Sequence, residues 1–343
     1  MIRALFVIFL LSLFVGGCCK DRQVEQTAGK ENTFPLLEGD YLGQEPPGDT
    51  PQLFAPGIMS TGFHEHSFPA FSPDGNEVYW SAWVRPFSKE VILYMKREGN
   101  RWTAPEVAPF SGKYIDGGPC FSPDGQKLFF ASKRPQQSGG KPFEKRHLWC
   151  LQRRGDGWSA PQCILHTVGF MEVRPSVTTG GTIYFMADYK DSLGEYDIYR
   201  MKWENGSYTK PENLGEAVNS KYKEFSSFIA VDESFLIFSR YDHPEGDGLY
   251  ISFRREDGTW TKARNMGKEI NTTPRQRFPA ISPDGQYLFF TSNRLADRFK
   301  EDVSTSYTYK LIKERQVSPE NGFDDIYWMK PDIIQRLKKE ILK

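Results

Sequence analysis

The chain has 343 residues, and its 44 basic and 44 acidic side chains cancel. With no basic block standing out of that balance, nucleic acid is excluded as an expected partner. A chain this long, 38% hydrophobic and 15% aromatic, can bury a core that needs no metal or disulfide to fold.

Residues 1–19 read as an export signal. Arg3 is the sole charge, and residues 4–15 form an apolar run too short to span a bilayer comfortably. Val15-Gly16-Gly17-Cys18 resembles a bacterial lipobox, which implies cleavage and diacylation at Cys18. The alternative is a plain secretory signal with a Cys at its boundary. By the same resemblance, the absence of Asp after Cys18 implies an outer-membrane anchor facing the periplasm. Residues 20–48 are polar and rich in charge, Gly and Pro, and read as a tether.

From residue 49 to 330 one unit repeats. Phe71-Ser72-Pro73-Asp74-Gly75 leads into Val78-Tyr79-Trp80, Phe121-Ser122-Pro123-Asp124-Gly125 into Leu128-Phe129-Phe130, and Ile281-Ser282-Pro283-Asp284-Gly285 into Leu288-Phe289-Phe290. Each copy predicts strand, tight turn, strand: Pro presets φ, Asp bonds the backbone ahead, and Gly takes φ > 0. Weaker copies follow at Thr178-Thr179-Gly180-Gly181 and Val231-Asp232-Glu233-Ser234. The anchors Asp74, Asp124, Gly180, Asp232 and Asp284 are separated by 50, 56, 52 and 52 residues, so there are five repeats.

A third strand is expected in every repeat, at Ile92–Met95, His147–Cys150, Asp197–Met201, Gly248–Ile251 and Asp325–Met329. The first four repeats continue through a Gly-bearing hairpin into Trp102-Thr103-Ala104-Pro105, Trp158-Ser159-Ala160-Pro161, Tyr208-Thr209-Lys210-Pro211 and Trp260-Thr261-Lys262-Ala263, read as fourth strands. Pro suits an unpaired sheet edge. The fifth repeat has no such segment, but residues 49–54 match it, so the N-terminal strand is expected to complete the last blade. The fold class is therefore all-β, a five-bladed β-propeller of four-stranded blades; a sixth blade would need strand pattern that the flanks do not show. Residues 331–343 switch to helical period, with Ile333, Ile334, Leu337 and Ile341 on one face. Packing of this helix against the ring is expected, with a basic membrane-surface helix as the alternative.

The Ser-Pro-Asp-Gly turn followed by an aromatic strand resembles the WD40-like PD40 repeat of TolB-type propellers, over residues 49–330. That resemblance implies an extracytoplasmic propeller and no single activity, because propellers host binding proteins and several enzyme classes.

Cys150 and Cys163 flank one hairpin, where a disulfide is geometrically allowed; buried free thiols, with Cys120, are the other reading. No spacing resembles a zinc site. Candidate ligand-binding residues lie three positions before the Pro or Ser of each inner strand: His66, Asp116, Glu172, Glu224 and Gln276. If they face the axis they form an acidic ring at the channel mouth. Second-strand ends add Arg85, Lys133, Arg134, Asp188, Arg240 and Arg294 as a mainly basic collar. Such a funnel could bind a divalent cation, a glycan or a peptide end; no other cofactor is expected. In the structural alternative, each acid pairs with a neighbouring blade's Arg or Lys.

A glycosidase would need two free carboxyls among Asp116, Glu172 and Glu224. A lyase using a His-bound metal fits poorly, since only His66 and His64 map to the channel. No triad, phosphate loop or nucleotide fingerprint appears. The expectation is a non-catalytic, membrane-tethered binding or scaffold module for a protein or cell-envelope glycan, with a carbohydrate-active enzyme as the alternative.

Overall fold

The computed structural model describes residues 34–84, 87–166, 174–273, 275–300 and 306–343. The expected signal, Cys18, Arg85 and Glu172 lie outside the described residues. The chain divides into Met1–Pro35 and the folded unit Leu36–Lys343.

Five antiparallel sheets form the blades, each running outward from an inner strand. Blade 1 pairs His64–Glu65 and Ala70–Phe71 with Glu77–Val84, then Lys89–Glu98 and Glu106–Val107. Blade 2 comprises Asp116–Phe121, Lys127–Ser132, His147–Arg154 and Gln162–Leu165, and blade 3 Ser176–Val177, Ile183–Ala187, Asp197–Met201 and Glu212–Asn213. Blade 4 comprises Lys223–Ile229, Phe235–Tyr241, Gly248–Phe253 and Arg264–Asn265. In blade 5, Gln276–Ile281, Leu288–Ser292 and Asp325–Met329 are completed by Gln52–Leu53 from the start of the chain. Gln52 lies opposite Trp328 and Leu53 opposite Tyr327, so the ring closes as expected.

The repeated turns, which define the lower face, are built alike. Ser72, Ser122 and Ser282 donate to Asp74, Asp124 and Asp284 at 2.5, 2.5 and 2.6 Å. Each Ser hydroxyl also accepts the N–H of the residue five positions on, at Glu77, Lys127 and Tyr287, all at 2.9 Å. Gly75, Gly125 and Gly285 sit at φ 70°, 68° and 75°, the left-handed region that favours Gly. Blade 3 keeps the acceptor but changes the residue: Thr178 Oγ1 accepts from Thr182 N–H.

The outer edge differs from expectation. The Trp-Thr segments pair only with the hairpin end of the third strand, and the fourth strand proper begins after the Pro, at Glu106, Gln162 and Glu212. Pro has no N–H to give the ladder, so pairing breaks there. The hydroxyl before the break bridges the gap. Thr103, Ser159, Thr209 and Thr261 accept the N–H groups of Lys96, Gln152, Lys202 and Phe253 at 2.9–3.0 Å.

Apolar cores lie between adjacent blades. One joins Phe129 and Leu148 of blade 2 to Phe185 and Tyr199 of blade 3; another joins Ile237 and Leu249 of blade 4 to Phe290 and Tyr327 of blade 5. A helix unforeseen in the sequence, α1 (Tyr309–Val317), lies in the connection before the third strand of blade 5 and has no buried residue. The C-terminal helix, α2 (Asp332–Ile341), buries Ile333, Ile334 and Leu337 in the core between blades 4 and 5. Among the described residues no helix is long and apolar enough to cross a membrane.

The folded unit begins earlier than the expected boundary at residue 49. Asp40–Gly43 forms a 3-10 turn, and Tyr41 packs its ring 5.1 Å from Phe71 and 5.0 Å from Tyr287. The expected tether is therefore partly packed structure. Polar composition hid the few anchoring side chains. Cys120, Cys150 and Cys163 are free, because Cys150 lies opposite Gln162 and Cys163 opposite Trp149, so the two hairpin thiols are not cross-strand partners.

Candidate functional site: the propeller axis

Inner strands begin on the upper face, and the described carboxylates of the expected ring do not open there. In blade 2, Asp116 is buried and accepts from Ser132 at 2.5 Å, Ser111 at 3.0 Å and Arg134 at 2.9 Å. In blade 4, Glu224 accepts from Arg240 at 2.7 Å and Ser220 at 2.6 Å. Burial still pushes the Glu224 carboxyl up, outweighing its hydroxyl and guanidinium partners. Gln276 of blade 5 is enclosed against Thr273 and Ser292. Both ion pairs form within one blade, not between neighbours. Arg294 stacks on Tyr327, 4.4 Å from its ring centre, and burial lowers its pKa.

A bulge in the inner strands explains the difference. Register shifts between Gly117 and Cys120, Phe225 and Phe228, and Arg277 and Ala280. Gly118, Ser226 and Phe278 inside these bulges have φ of 61°, 49° and 49°. The extra residue re-aims the strand. In blades 2, 4 and 5, Asp116, Glu224 and Gln276 turn into their own blades, and the residue just before the Pro or Ser takes the axial place. By sequence spacing those residues are Phe68, Gly118, Arg174, Ser226 and Phe278.

Contacts between blades that are not neighbours place this second set at the axis. The Arg174 guanidinium of blade 3 lies 4.8 Å from the Phe278 ring centre of blade 5, and Phe278 lies 5.0 Å from His66 of blade 1. His66 Nδ1 is 2.6 Å from Arg174 Nη2 and accepts from Trp83 Nε1 at 2.9 Å. A Cβ on Gly118 would stand 2.6 Å from Arg174 Cδ, so only Gly lets this side chain cross.

Glu90, from the third strand of blade 1, anchors the group. It is fully buried and meets Arg146 of blade 2 at 2.5 Å, Arg174 at 3.1 Å and Ser81 at 2.7 Å. Burial alone would push its carboxyl up, but Arg146, Arg174 and His66 overcome this and hold it well below the usual range. Of the expected residues that are described, His66 alone joins this centre. Glu90, Arg146 and Arg174 were missed, although a Glu ahead of the apolar run Val91-Ile92-Leu93 was a signal for a buried charge.

Below this crossing the channel is apolar. A cavity of about 250 Å³ is lined by residues of all five inner strands, among them Phe68, Phe121, Val177, Phe228 and Ile281, with Pro73, Pro123 and Pro283 at the turns. No titratable carboxylate, Lys, Arg or His lines it, though the thiol of Cys120 does, pushed up to about 12 by burial.

No family model and no curated protein matches the sequence. Among solved structures, the chain is similar to the putative TolB from Agrobacterium tumefaciens, at 16% identity over 78% of this chain and 89% of that one, with a TM-score of 0.47. It is also similar to TolB from Acinetobacter baumannii, at 16% identity over 77% of this chain and 54% of that one, with a TM-score of 0.44. The α-L-arabinofuranosidase from Lactobacillus brevis gives 15% identity, 79% and 95% coverage and a TM-score of 0.42. These likenesses concern fold, and the five-bladed ring itself rests on the strand pairing described above.

Chemically, the axis offers little to a substrate. Asp116 and Glu224 are each held by an Arg, and Glu90 by two. Among the described residues, no group of three or more His, Cys, Asp or Glu side chains could hold a metal ion. What remains accessible is the apolar lower funnel.

Proposed function

We propose that this protein is a non-catalytic binding or scaffold module of the bacterial cell envelope, exported and held at the outer membrane by a lipid on Cys18. Its partner is a protein or an envelope glycan. The observation that carries this reading is the state of the axial acids. A glycosidase needs one carboxyl to donate a proton and a second to attack or activate water. Asp116 and Glu224 are buried in ion pairs within their own blades, while the lower funnel offers an apolar surface whose described lining holds no carboxylate, Lys, Arg or His. Apolar concavities with few polar groups are suited to binding.

Photo-crosslinking at the funnel, with a benzophenone amino acid in place of Phe121 or Ile281, tests the reading in cells. A discrete adduct in the envelope fraction is expected. The reading fails if the purified protein cleaves an envelope polysaccharide and Glu224→Gln or Asp116→Asn abolishes that cleavage. A protein that fractionates unchanged after Cys18→Ser would remove the lipid anchor from the proposal.

A further inference from the structure

Blades 1 to 4 carry an outer hairpin at the lower face, and blade 3 departs from the pattern of the other three. The residue that faces the outer aromatic across this hairpin is Arg97, Arg153 and Arg254 in blades 1, 2 and 4. Each is tied to a carboxylate, Asp40, Glu77 and Glu233 respectively, at 2.8 Å. Arg153 and Arg254 also cover the outer Trp of their blades, Trp158 and Trp260. In blade 3 the same position is Trp203, and the outer aromatic is Tyr208.

Trp203 is 43% exposed, although a large aromatic normally drives its own burial. It stands on a separate two-stranded hairpin, opposite Tyr208, whose ring centre is 4.7 Å away in an edge-on arrangement. Against it lies a cleft of about 440 Å³ between blades 2 and 3. The left-handed turn at Gly181, φ 79°, brings the cleft floor close, since a Cβ there would stand 3.3 Å from Trp203 Cβ.

The rest of the cleft is polar. Lys127 Nζ lies 4.9 Å from the Trp203 ring centre, and no ion pair holds it among the described residues. Asp124 binds Ser122 and the Gln126 N–H through Oδ1, which leaves Oδ2 unbonded among the described residues. Thr178 and Thr179 add two hydroxyls to the lining.

We propose that this cleft binds a pyranose unit of a glycan. A sugar ring presents a flat face of C–H bonds to an aromatic plane, and its rim of hydroxyls both donates and accepts. Trp203 supplies the plane. Asp124 accepts from the sugar hydroxyls, and Lys127, displaced from the indole face, donates to them or to a sugar carboxylate. A proline-rich peptide would also use Trp203, but its ring faces carry no hydroxyls to engage Asp124 and Lys127. The proposal narrows the partner class given above and rests on that reading. The cleft borders the funnel at Ser122, Pro123 and Val177, but Trp203, Asp124 and Lys127 line the cleft alone, so their substitution is expected to leave crosslinking at the funnel unaffected.

The test is titration of the folded protein with cellohexaose, maltohexaose, chitohexaose and oligogalacturonate, followed by tryptophan fluorescence and calorimetry. At least one probe is expected to bind. Trp203→Ala should weaken that binding about tenfold or more, with Trp203→Phe between it and the parent. Asp124→Asn should weaken it too, and Lys127→Met should matter most for oligogalacturonate. Circular dichroism melts of the variants separate lost binding from lost folding. The proposal is overturned if none of the four probes binds, if Trp203→Ala binds as the parent does, or if a polyproline peptide binds at Trp203 in their place.

Discussion

Glu90 of blade 1 lies 3.1 Å from Arg174 of blade 3, across an interval of 84 residues. Blade 2 lies between them in the ring and contributes Arg146 to the same carboxylate. One buried acid thus ties three consecutive blades together at the axis. Removing one partner of a buried ion pair leaves the other charge uncompensated. Glu90→Gln is expected to destabilise the protein by about 3–5 kcal/mol in urea denaturation, with m unchanged. Adding Arg174→Met should recover part of that loss. A cost below about 1 kcal/mol would mean that the tie is incidental.

Ring closure carries a pH dependence of its own. Asp325 opens the closing third strand, and burial, then the neighbouring Glu320 and Asp324 charges, raise its carboxyl to about 8. In an unfolded chain it titrates near ~4. Folding therefore takes up a proton between these values, so its contribution is complete below about pH 4 and is lost as pH rises through 8. Glu65, buried beside the same closure, shifts in the same direction. Asp325→Asn should gain stability relative to the parent as pH rises from 5 to 8, read as a growing difference in melting temperature. A constant difference across that range would show that the group is ionised in the folded protein.

The hydroxyls that bridge the outer edge are predicted to matter in proportion to burial. Thr261 is buried, and its Oγ1 is the acceptor for Phe253 N–H at 2.9 Å. Thr261→Val keeps the shape but orphans that donor, for an expected loss of about 1–3 kcal/mol. Ser159→Ala, at a half-buried edge, should lose less, because water can replace the missing acceptor. Equal losses at both sites would argue against the bridging role.

The residues ahead of the closing strand should stabilise the ring. Tyr41 sits among Phe71, Tyr287, Phe289 and Trp328. It is half-buried, so Tyr41→Ala is expected to cost about 2–3 kcal/mol, below the full aromatic-to-Ala penalty. A chain beginning at residue 34 should melt with the parent, and one beginning at residue 49 should melt several degrees lower. Identical melting of the two truncations would restrict the packed unit to the strands.

The blades were legible because their signals are local. Ser-Pro-Asp-Gly fixes a turn within four residues, and the Val78-Tyr79-Trp80 type of run fixes the strand after it. Closure by residues 49–54 was legible for the same reason, as a displaced copy of a local pattern. The axis was not. Counting back from Pro119 and Ser227 points Asp116 and Glu224 inward, but the bulge at Gly118 and Ser226 inserts one extra residue and reverses the facing. Nothing in a Gly-Pro or Ser-Ser pair announces a bulge, because the cause is the ladder on the partner strand. Glu90 was hidden differently. Its partners stand 56 and 84 positions away, at Arg146 and Arg174, and no periodicity links them. Trp203 was passed over because the outer-strand pattern was read at Trp102, Trp158, Tyr208 and Trp260, five residues farther on in blade 3.

Gln52–Leu53 belongs to the same sheet as Asp325–Met329, and the N–H of Lys330 donates to the carbonyl of Gly48. The first strand to emerge during synthesis or export thus finds its partner only when nearly the whole chain has followed. Until then blade 5 cannot exist and blade 1 keeps an uncovered flank, the kind of exposed backbone that invites mispairing. A chain cut short by even its last twenty residues would lack the central partner of that zipper and remain an open arc. Closure of the ring is thereby tied to one seam, between Gln52–Leu53 and Tyr327–Trp328.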